Sequence, residues 1–192
     1  GSAVLARLAT WEGSALGDRW LLRYAANSRF GFQPASIADA RERVIQCDPA
    51  STHASSLLGD VAQTLGDLGL RIVIDATASE AVAERHAQWL AQGIHVVTAC
   101  KLGQGTSLAR WREIQAARRA GGTAYGDSAT VGAGLPLLRT IRALQAGGDR
   151  IHAIAGVLSG SLAWLFNHYD GLRPFSGFVR QARDAGYTEP DP

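Results

Sequence analysis

The stretch Ile94-His95-Val96-Val97-Thr98-Ala99-Cys100-Lys101 decides the fold. It is a short, β-branched run of the kind that fills a buried parallel strand. It ends in a lysine, and Gly103-Gln104-Gly105 follows as a flexible segment. Lys101 is the only lysine in the chain; every other fixed positive charge is an arginine. In an open α/β sheet, ligands sit at the carboxyl ends of the strands. Arginine holds its proton at any useful pH, whereas a lysine can be tuned by its surroundings. From position alone, a chemical role and a solubilising charge stand level.

Outward from that strand, the apolar spacing gives an α/β rhythm. Ala3 to Trp11 reads as a helix, Trp20 to Ala26 as a strand closed by Asn27-Ser28-Arg29, and Ile37 to Gln46 and Ser55 to Leu65 as helices. Arg71 to Asp75 is a second core strand ending in Thr77-Ala78-Ser79. Glu80 to Ala91 is one helix with Ser79 as N-cap. Thr106 or Ser107 caps a helix to Ala120, which Gly121-Gly122 ends, and Thr123 to Tyr125 is a short strand. This alternation predicts a Rossmann-like, doubly wound parallel sheet with right-handed crossovers. Past residue 130 the pattern changes to helix Leu137–Leu144, strand Ile151–Leu158, helix Leu162–Tyr169 and helix Phe175–Ala185. The expected division is therefore a nucleotide-binding domain over 1–130 and the start of an α+β substrate domain over 131–192.

The totals narrow the function. The 192 residues are 46% hydrophobic and 19% charged, with a net charge of +2. That charge is too small and too scattered for a nucleic-acid surface. No apolar run reaches the roughly 20 residues of a membrane span, and no secretory signal opens the chain. Cys47 and Cys100 form no metal or redox spacing, so a reducing, cytoplasmic setting is expected. There is no methionine, even at position 1, and the chain stops in Glu189-Pro190-Asp191-Pro192. Both ends are expected to be cut, with the first strand and most of its Gly-rich turn missing and Gly1 as the remnant of that turn or a cloning scar.

Several turns carry candidate chemistry. Asn27-Ser28-Arg29 sets small polar groups and an arginine where an acidic residue would repel a 2′-phosphate, which suits NADP as well as it suits an ordinary turn. Thr77-Ala78-Ser79 leaves room for a cofactor across the strand end while capping a helix. Val131-Gly132-Ala133-Gly134-Leu135-Pro136 is a domain-crossing loop whose carbonyls suit a hard cation such as Na⁺. Ser159-Gly160-Ser161 precedes a helix and fits either carboxylate binding or plain capping. Gly186-Tyr187-Thr188-Glu189-Pro190-Asp191-Pro192 gathers carboxylates, a phenol and a hydroxyl in a proline-stiffened turn, where Glu189 suits a substrate ammonium. His53, His86, His95, His152 and His168 lack ligand spacing and read as surface or core residues.

Together these segments resemble homoserine dehydrogenase, most closely the dehydrogenase half of bifunctional aspartokinase–homoserine dehydrogenases. The resemblance is carried by Ala26-Asn27-Ser28, Asp75 to Ser79, His95 to Lys101, Thr130 to Pro136, Gly156-Val157-Leu158-Ser159-Gly160-Ser161-Leu162 and Gly186 to Pro192. It implies NAD(P)-dependent interconversion of L-homoserine and L-aspartate 4-semialdehyde, on the route to threonine and methionine, in a homo-oligomeric parent protein. By the same resemblance Lys101 is catalytic and lies beside the nicotinamide. Glu189, Ser161, Gly160, Tyr187 and Thr188 bind substrate, and Gly186 approaches the cofactor with Gly1, Asn27, Ser28, Arg29, Thr77, Ala78, Ser79 and Cys100. The main-chain oxygens of Val131, Ala133 and Leu135 fall on a Na⁺ site. Hydride transfer needs the reacting carbons held roughly 3–3.5 Å apart. A positive group at the reacting oxygen lowers the barrier, and a lysine can exchange the hydroxyl proton.

Two positions depart from the family. Cys100 stands where an asparagine is usual, and Ser128 where the Na⁺ site has an acidic side chain. The family's further lysine, the usual proton donor and acceptor, lies past Pro192. The expectation is therefore an NADP-preferring enzyme of which this chain alone is inactive. The competing readings are a non-catalytic truncated domain and another NAD(P) oxidoreductase of similar architecture.

Overall fold

The computed structural model describes residues 1–28, 30–46 and 61–188. The chain divides into two compact units, Gly1–Gly126 and Asp127–Pro192.

In the first unit, α1 (Ser2–Ala9) leads through a short 3₁₀ turn to β1 (Ala25–Ala26), β2 (Gly31–Phe32), α2 (Ile37–Gln46) and α3 (Val61–Leu65). β3 (Ile72–Asp75), α4 (Glu80–Ala83), α5 (His86–Ala91), β4 (His95–Thr98), α6 (Leu102–Gly105), α7 (Leu108–Ala120) and β5 (Tyr125–Gly126) follow. The strands β3, β4 and β5 form one parallel sheet in that order, with Ile72 opposite His95, Asp75 opposite Thr98 and Val97 opposite Gly126. This is an α/β unit, as the alternation predicts. Parallel neighbours need a crossover, and the helices α4–α5 and α6–α7 supply the two of them.

The period-2 alternation of β4 buries Val96 and Thr98 and leaves Val97 half-exposed. Trp89, Leu90, Ile94, Val96, Ile114 and Tyr125 pack as one apolar cluster under α5 and α7. The opposite face, with Ile72, Ile74 and Val97, stays partly open among the described residues. A second cluster joins α1, the β1–β2 hairpin and α2 through Leu5, Leu8, Phe30, Phe32, Ile37 and Ala40.

The second unit holds α8 (Leu137–Ala146), α9 (Gly160–His168) and α10 (Phe175–Asp184). Leu165, Phe178 and Ala182 are its buried centre, where α9 meets α10.

Four local expectations need correction. Trp20–Ala26 is not a strand of the parallel sheet: only Ala25–Ala26 pairs, antiparallel, with Gly31–Phe32. Phe30 N–H donates to Asn27 Oδ1, and Asn27 N–H to the Phe30 carbonyl, so the chain doubles back at once. Ile151–Leu158 forms no strand among the described residues, and Ile154 and Val157 are 55% and 71% exposed. β-branched character sets an extended backbone, but a strand exists only where a neighbour accepts its ladder. The helix expected over Glu80–Ala91 breaks at Glu84-Arg85, and Gly103-Gln104-Gly105, read as a flexible segment, is helical within α6. Of the helix expected over Ser55–Leu65, residues 55–60 lie outside the described residues. Cys47 and His53 do so as well.

Candidate functional site

The carboxyl ends of β3, β4 and β5 meet over a buried polar network. Asp75, the last residue of β3, is 2% exposed, and His86, the first residue of α5, is 0% exposed. His86 Nε2 lies 3.0 Å from Asp75 Oδ2, and His86 Nδ1 lies 2.9 Å from the Tyr125 hydroxyl. The Thr98 hydroxyl donates to the same Asp75 oxygen at 3.2 Å. The other Asp75 oxygen accepts from Thr77 N–H at 2.9 Å and from the Thr77 hydroxyl at 2.7 Å. Burial opposes ionisation of Asp75. The hydrogen bonds from His86 and Thr77, and the nearby imidazole charge, outweigh it and hold the carboxyl below its ordinary range.

Two turns stand on this network. Thr77-Ala78-Ser79 follows β3 and is fixed by its own hydrogen bonds: Thr77 to Asp75, and Ser79 N–H to the Thr77 hydroxyl at 3.2 Å. Ser79 occupies the N-cap position of α4, but its side chain makes no capping bond. Ala99-Cys100-Lys101 follows β4. Cys100 N–H donates to the Thr98 hydroxyl at 2.9 Å, and Ala99 N–H to the Asp75 carbonyl at 2.9 Å. Cys100 is buried, so its thiol is turned inward and its pKa is raised chiefly by burial. Lys101, exposed, is the N-cap of α6 and its carbonyl accepts from Gly105 N–H. Thr77, Ala78 and Lys101 all face solvent at this end of the sheet.

Arg110 of α7 braces the turns from outside. It bonds the Leu102 carbonyl at 3.1 Å and the Glu80 carboxylate at 2.6 Å, and so joins the start of α6 to the start of α4. Asn27 and Ser28 sit in the hairpin turn after β1. Gly1 is the N-cap of α1, its carbonyl taking Val4 and Leu5 N–H, with open space where a Cβ would stand. Arg29 lies outside the described residues.

In the second unit, Ser159 caps α9 by accepting from Leu162 N–H at 3.2 Å, which is the capping reading of Ser159-Gly160-Ser161. The Ser161 hydroxyl donates to the Tyr187 carbonyl. Gly186 makes that meeting possible. Its φ of 74° is left-handed, and Tyr187 N–H closes on the Ala182 carbonyl at 2.8 Å in a Schellman turn. Trp164 packs between His168 and Tyr187, with ring centroids 4.2 Å and 5.6 Å away. Ser161, Gly160, Tyr187 and Thr188 are therefore in one neighbourhood; Glu189 lies outside the described residues.

The loop that opens the second unit carries Gly132 at φ 71° and Ala133 at φ 48°. Asp127, buried at its start, is gripped by Arg142 of α8 through two hydrogen bonds of 2.6 and 2.7 Å. Among the described residues no group of three or more His, Cys, Asp or Glu could hold a metal ion. No described helix is long and apolar enough to cross a membrane.

Periodicity alone missed His86, Tyr125, Arg110 and Arg142. The one available signal was a strand ending in aspartate with a histidine in the helix that follows it.

Residues 13–125 match the family model "Homoserine dehydrogenase, NAD binding domain", and residues 136–192 match "Homoserine dehydrogenase". The chain is 45% identical over 122 residues to bifunctional aspartokinase/homoserine dehydrogenase 1 of Zea mays, covering 64% of this chain and 13% of that protein. It is 34% identical over 196 aligned residues to bifunctional aspartokinase/homoserine dehydrogenase 2 of Escherichia coli, covering 92% of this chain and 24% of that protein. A hyperthermophilic archaeal homoserine dehydrogenase, solved in complex with NADPH, shares the fold over all of this chain and 60% of its own (TM-score 0.78, 17% identity). The chain thus spans a minor part of the two curated relatives.

Proposed function

The chain belongs to the homoserine dehydrogenase family, and on that premise we propose that it carries the NAD(P)-binding domain and the start of the substrate domain of an enzyme interconverting L-homoserine and L-aspartate 4-semialdehyde. The single observation that carries the reading is the strand-end pair of turns, Thr77-Ala78-Ser79 and Ala99-Cys100-Lys101, presented together on a parallel sheet whose residues match the family's NAD-binding domain.

That sheet end fits the cofactor. Small exposed residues at 77 and 78 admit a flat ring, and one ammonium stands at the neighbouring strand end. Residues 1–130 are assigned to cofactor and 131–192 to substrate. Thr77, Ala78, Ser79, Cys100 and Lys101 would line the nicotinamide side. Asn27, Ser28 and Arg29 would take the adenosine ribose, where the arginine favours a 2′-phosphate and hence NADP over NAD. Gly1 and Gly186 complete the proposed cofactor contacts. When bound, NAD(P) supplies the hydride acceptor or donor. Lys101 is assigned to the reacting oxygen, where its positive charge offsets the negative charge that develops there. Cys100 offers only its backbone to this end, because its side chain is buried.

Ser161, Gly160, Tyr187 and Thr188 are assigned to the amino-acid substrate, with Glu189 on its ammonium group. The Ser161–Tyr187 hydrogen bond supports this grouping by holding the start of α9 against the end of the α10 turn. For Na⁺, the loop offers the carbonyl oxygens of Val131, Ala133 and Leu135 without a carboxylate, because Ser128 is neutral and Asp127 is engaged by Arg142. A weak site or none is the corresponding assignment. A homo-oligomer is proposed with the same enzyme.

Titration of the purified chain with NADPH, followed by nicotinamide fluorescence, tests the cofactor assignment. Saturable binding that weakens about tenfold in Lys101→Met is expected, the scale of one lost charged contact. The absence of saturable binding by NADPH and NADH alike overturns the reading.

A further inference from the structure

We propose that Asp75, His86 and Tyr125 form a buried positioning network that sets the Lys101 turn and the Thr77–Ser79 turn as one unit for cofactor binding; this rests on the NAD(P) assignment above. None of the three is offered as a catalytic residue, since all are buried.

The Lys101 turn is tied to the network on both sides. Before Lys101, Cys100 N–H donates to the Thr98 hydroxyl, which itself donates to Asp75 Oδ2. After it, Gly103 sits directly over the His86–Tyr125 contact. A Cβ at Gly103 would strike the Tyr125 hydroxyl and stand 3.0 Å from His86 Nδ1. The turn therefore rests on two polar atoms with no room to settle differently. The same Asp75 carboxylate fixes the other turn through Thr77. One carboxylate thus governs both segments that the functional reading assigns to the nicotinamide.

The ionised Asp75 oxygen can only accept, so His86 Nε2 carries a proton and donates to it, while Nδ1 bonds the Tyr125 hydroxyl, which can donate or accept. The two contacts link residues 11 and 39 positions apart in sequence. A side chain at position 86 must therefore bond on both sides; glutamine can, with its amide N–H to Asp75 and its carbonyl oxygen to the Tyr125 hydroxyl, and leucine cannot.

The test is NADPH titration of the chain carrying Tyr125→Phe, His86→Leu or His86→Gln, with Tm measured on each and Kd taken below the melting transition. Tyr125→Phe and His86→Leu are expected to raise Kd about tenfold, one buried hydrogen bond's worth of preorganisation. His86→Gln is expected to return Kd to within about threefold of the unsubstituted chain, whatever its Tm. A network that only stabilises the fold would lower Tm and leave the Kd of the folded protein unchanged. If His86→Leu does not fold, Tyr125→Phe, which removes a single oxygen, decides. NADPH binding by folded Tyr125→Phe equal to that of the unsubstituted chain overturns the inference and leaves the cofactor reading standing. No binding by the unsubstituted chain overturns both.

Discussion

His86 Nε2 lies 3.0 Å from Asp75 Oδ2, and neither side chain is open to solvent. A buried carboxylate without partners would be protonated or destabilising. Here its oxygens take Thr77, Thr98 and His86, so ionisation is favoured despite burial.

Asp75→Asn is therefore expected to destabilise the first unit by about 1–3 kcal/mol at neutral pH, the range for leaving a buried polar group mismatched. The sign with pH follows from the depressed carboxyl. In the unfolded chain Asp titrates near about 3.9, and in the fold it titrates lower. Its stabilisation is complete above the unfolded value and disappears as pH falls through the folded one. Urea midpoints measured from neutral pH downward should show the gap between Asp75→Asn and the unsubstituted chain closing in acid. A gap that stays constant would contradict an ionised Asp75.

Gly103→Ala places a methyl group against the Tyr125 hydroxyl and His86 Nδ1 inside a closed turn. Overpacking of this kind costs about 1–3 kcal/mol. Because the strike falls on one oxygen, Tyr125→Phe in the same chain should recover part of that loss. A double-mutant cycle on urea stability should then give a coupling of about 0.5–3 kcal/mol; strict additivity would place Gly103 elsewhere.

Gly186 at φ 74° closes α10 and delivers the Tyr187 carbonyl to Ser161. Gly186→Ala forces a Cβ into the left-handed region, at a cost of about 1–2 kcal/mol. No atom would crowd that Cβ, so the loss is conformational rather than steric. A drop of that size in the second unit's unfolding transition is expected, and an equal drop in Gly147→Ala, whose φ of −76° is ordinary, would contradict this cause.

Arg142→Met leaves the buried Asp127 carboxylate without its guanidinium. The arginine is half-exposed, so solvent screens part of the interaction. A loss of about 1–2 kcal/mol is expected, with Asp127→Asn in the same chain regaining some of it. Urea denaturation of the two single variants and the double variant measures this directly. If the double variant is less stable than Arg142→Met alone, the carboxylate is not held by this pair.

Much of the α/β unit was legible residue by residue. Ile37–Gln46 is helical over the expected span, and the strands at 72–75 and 95–98 fall within the runs read from their β-branched residues. These features depend on side chains a few positions apart. Trp20–Ala26 and Ile151–Leu158 carry the same local signal, yet only Ala25–Ala26 finds a ladder, because pairing belongs to the neighbour as much as to the strand. Lys101, Thr77 and Ser161 could be named from strand-end and turn positions. What holds them could not.

The sequence by itself determined the alternation of helix and strand, the strand-end position of its single lysine and the glycine at 186 that a left-handed helix end requires, because each follows from local sterics and the spacing of apolar residues. Tertiary structure alone decided that His86, outwardly an ordinary helix residue, would join Asp75 to Tyr125 beneath the Lys101 turn, and that Arg142 would close on Asp127. Those contacts link residues 11 to 39 positions apart. Their strength comes from exclusion of water, which exists only once the sheet and its helices have closed around them.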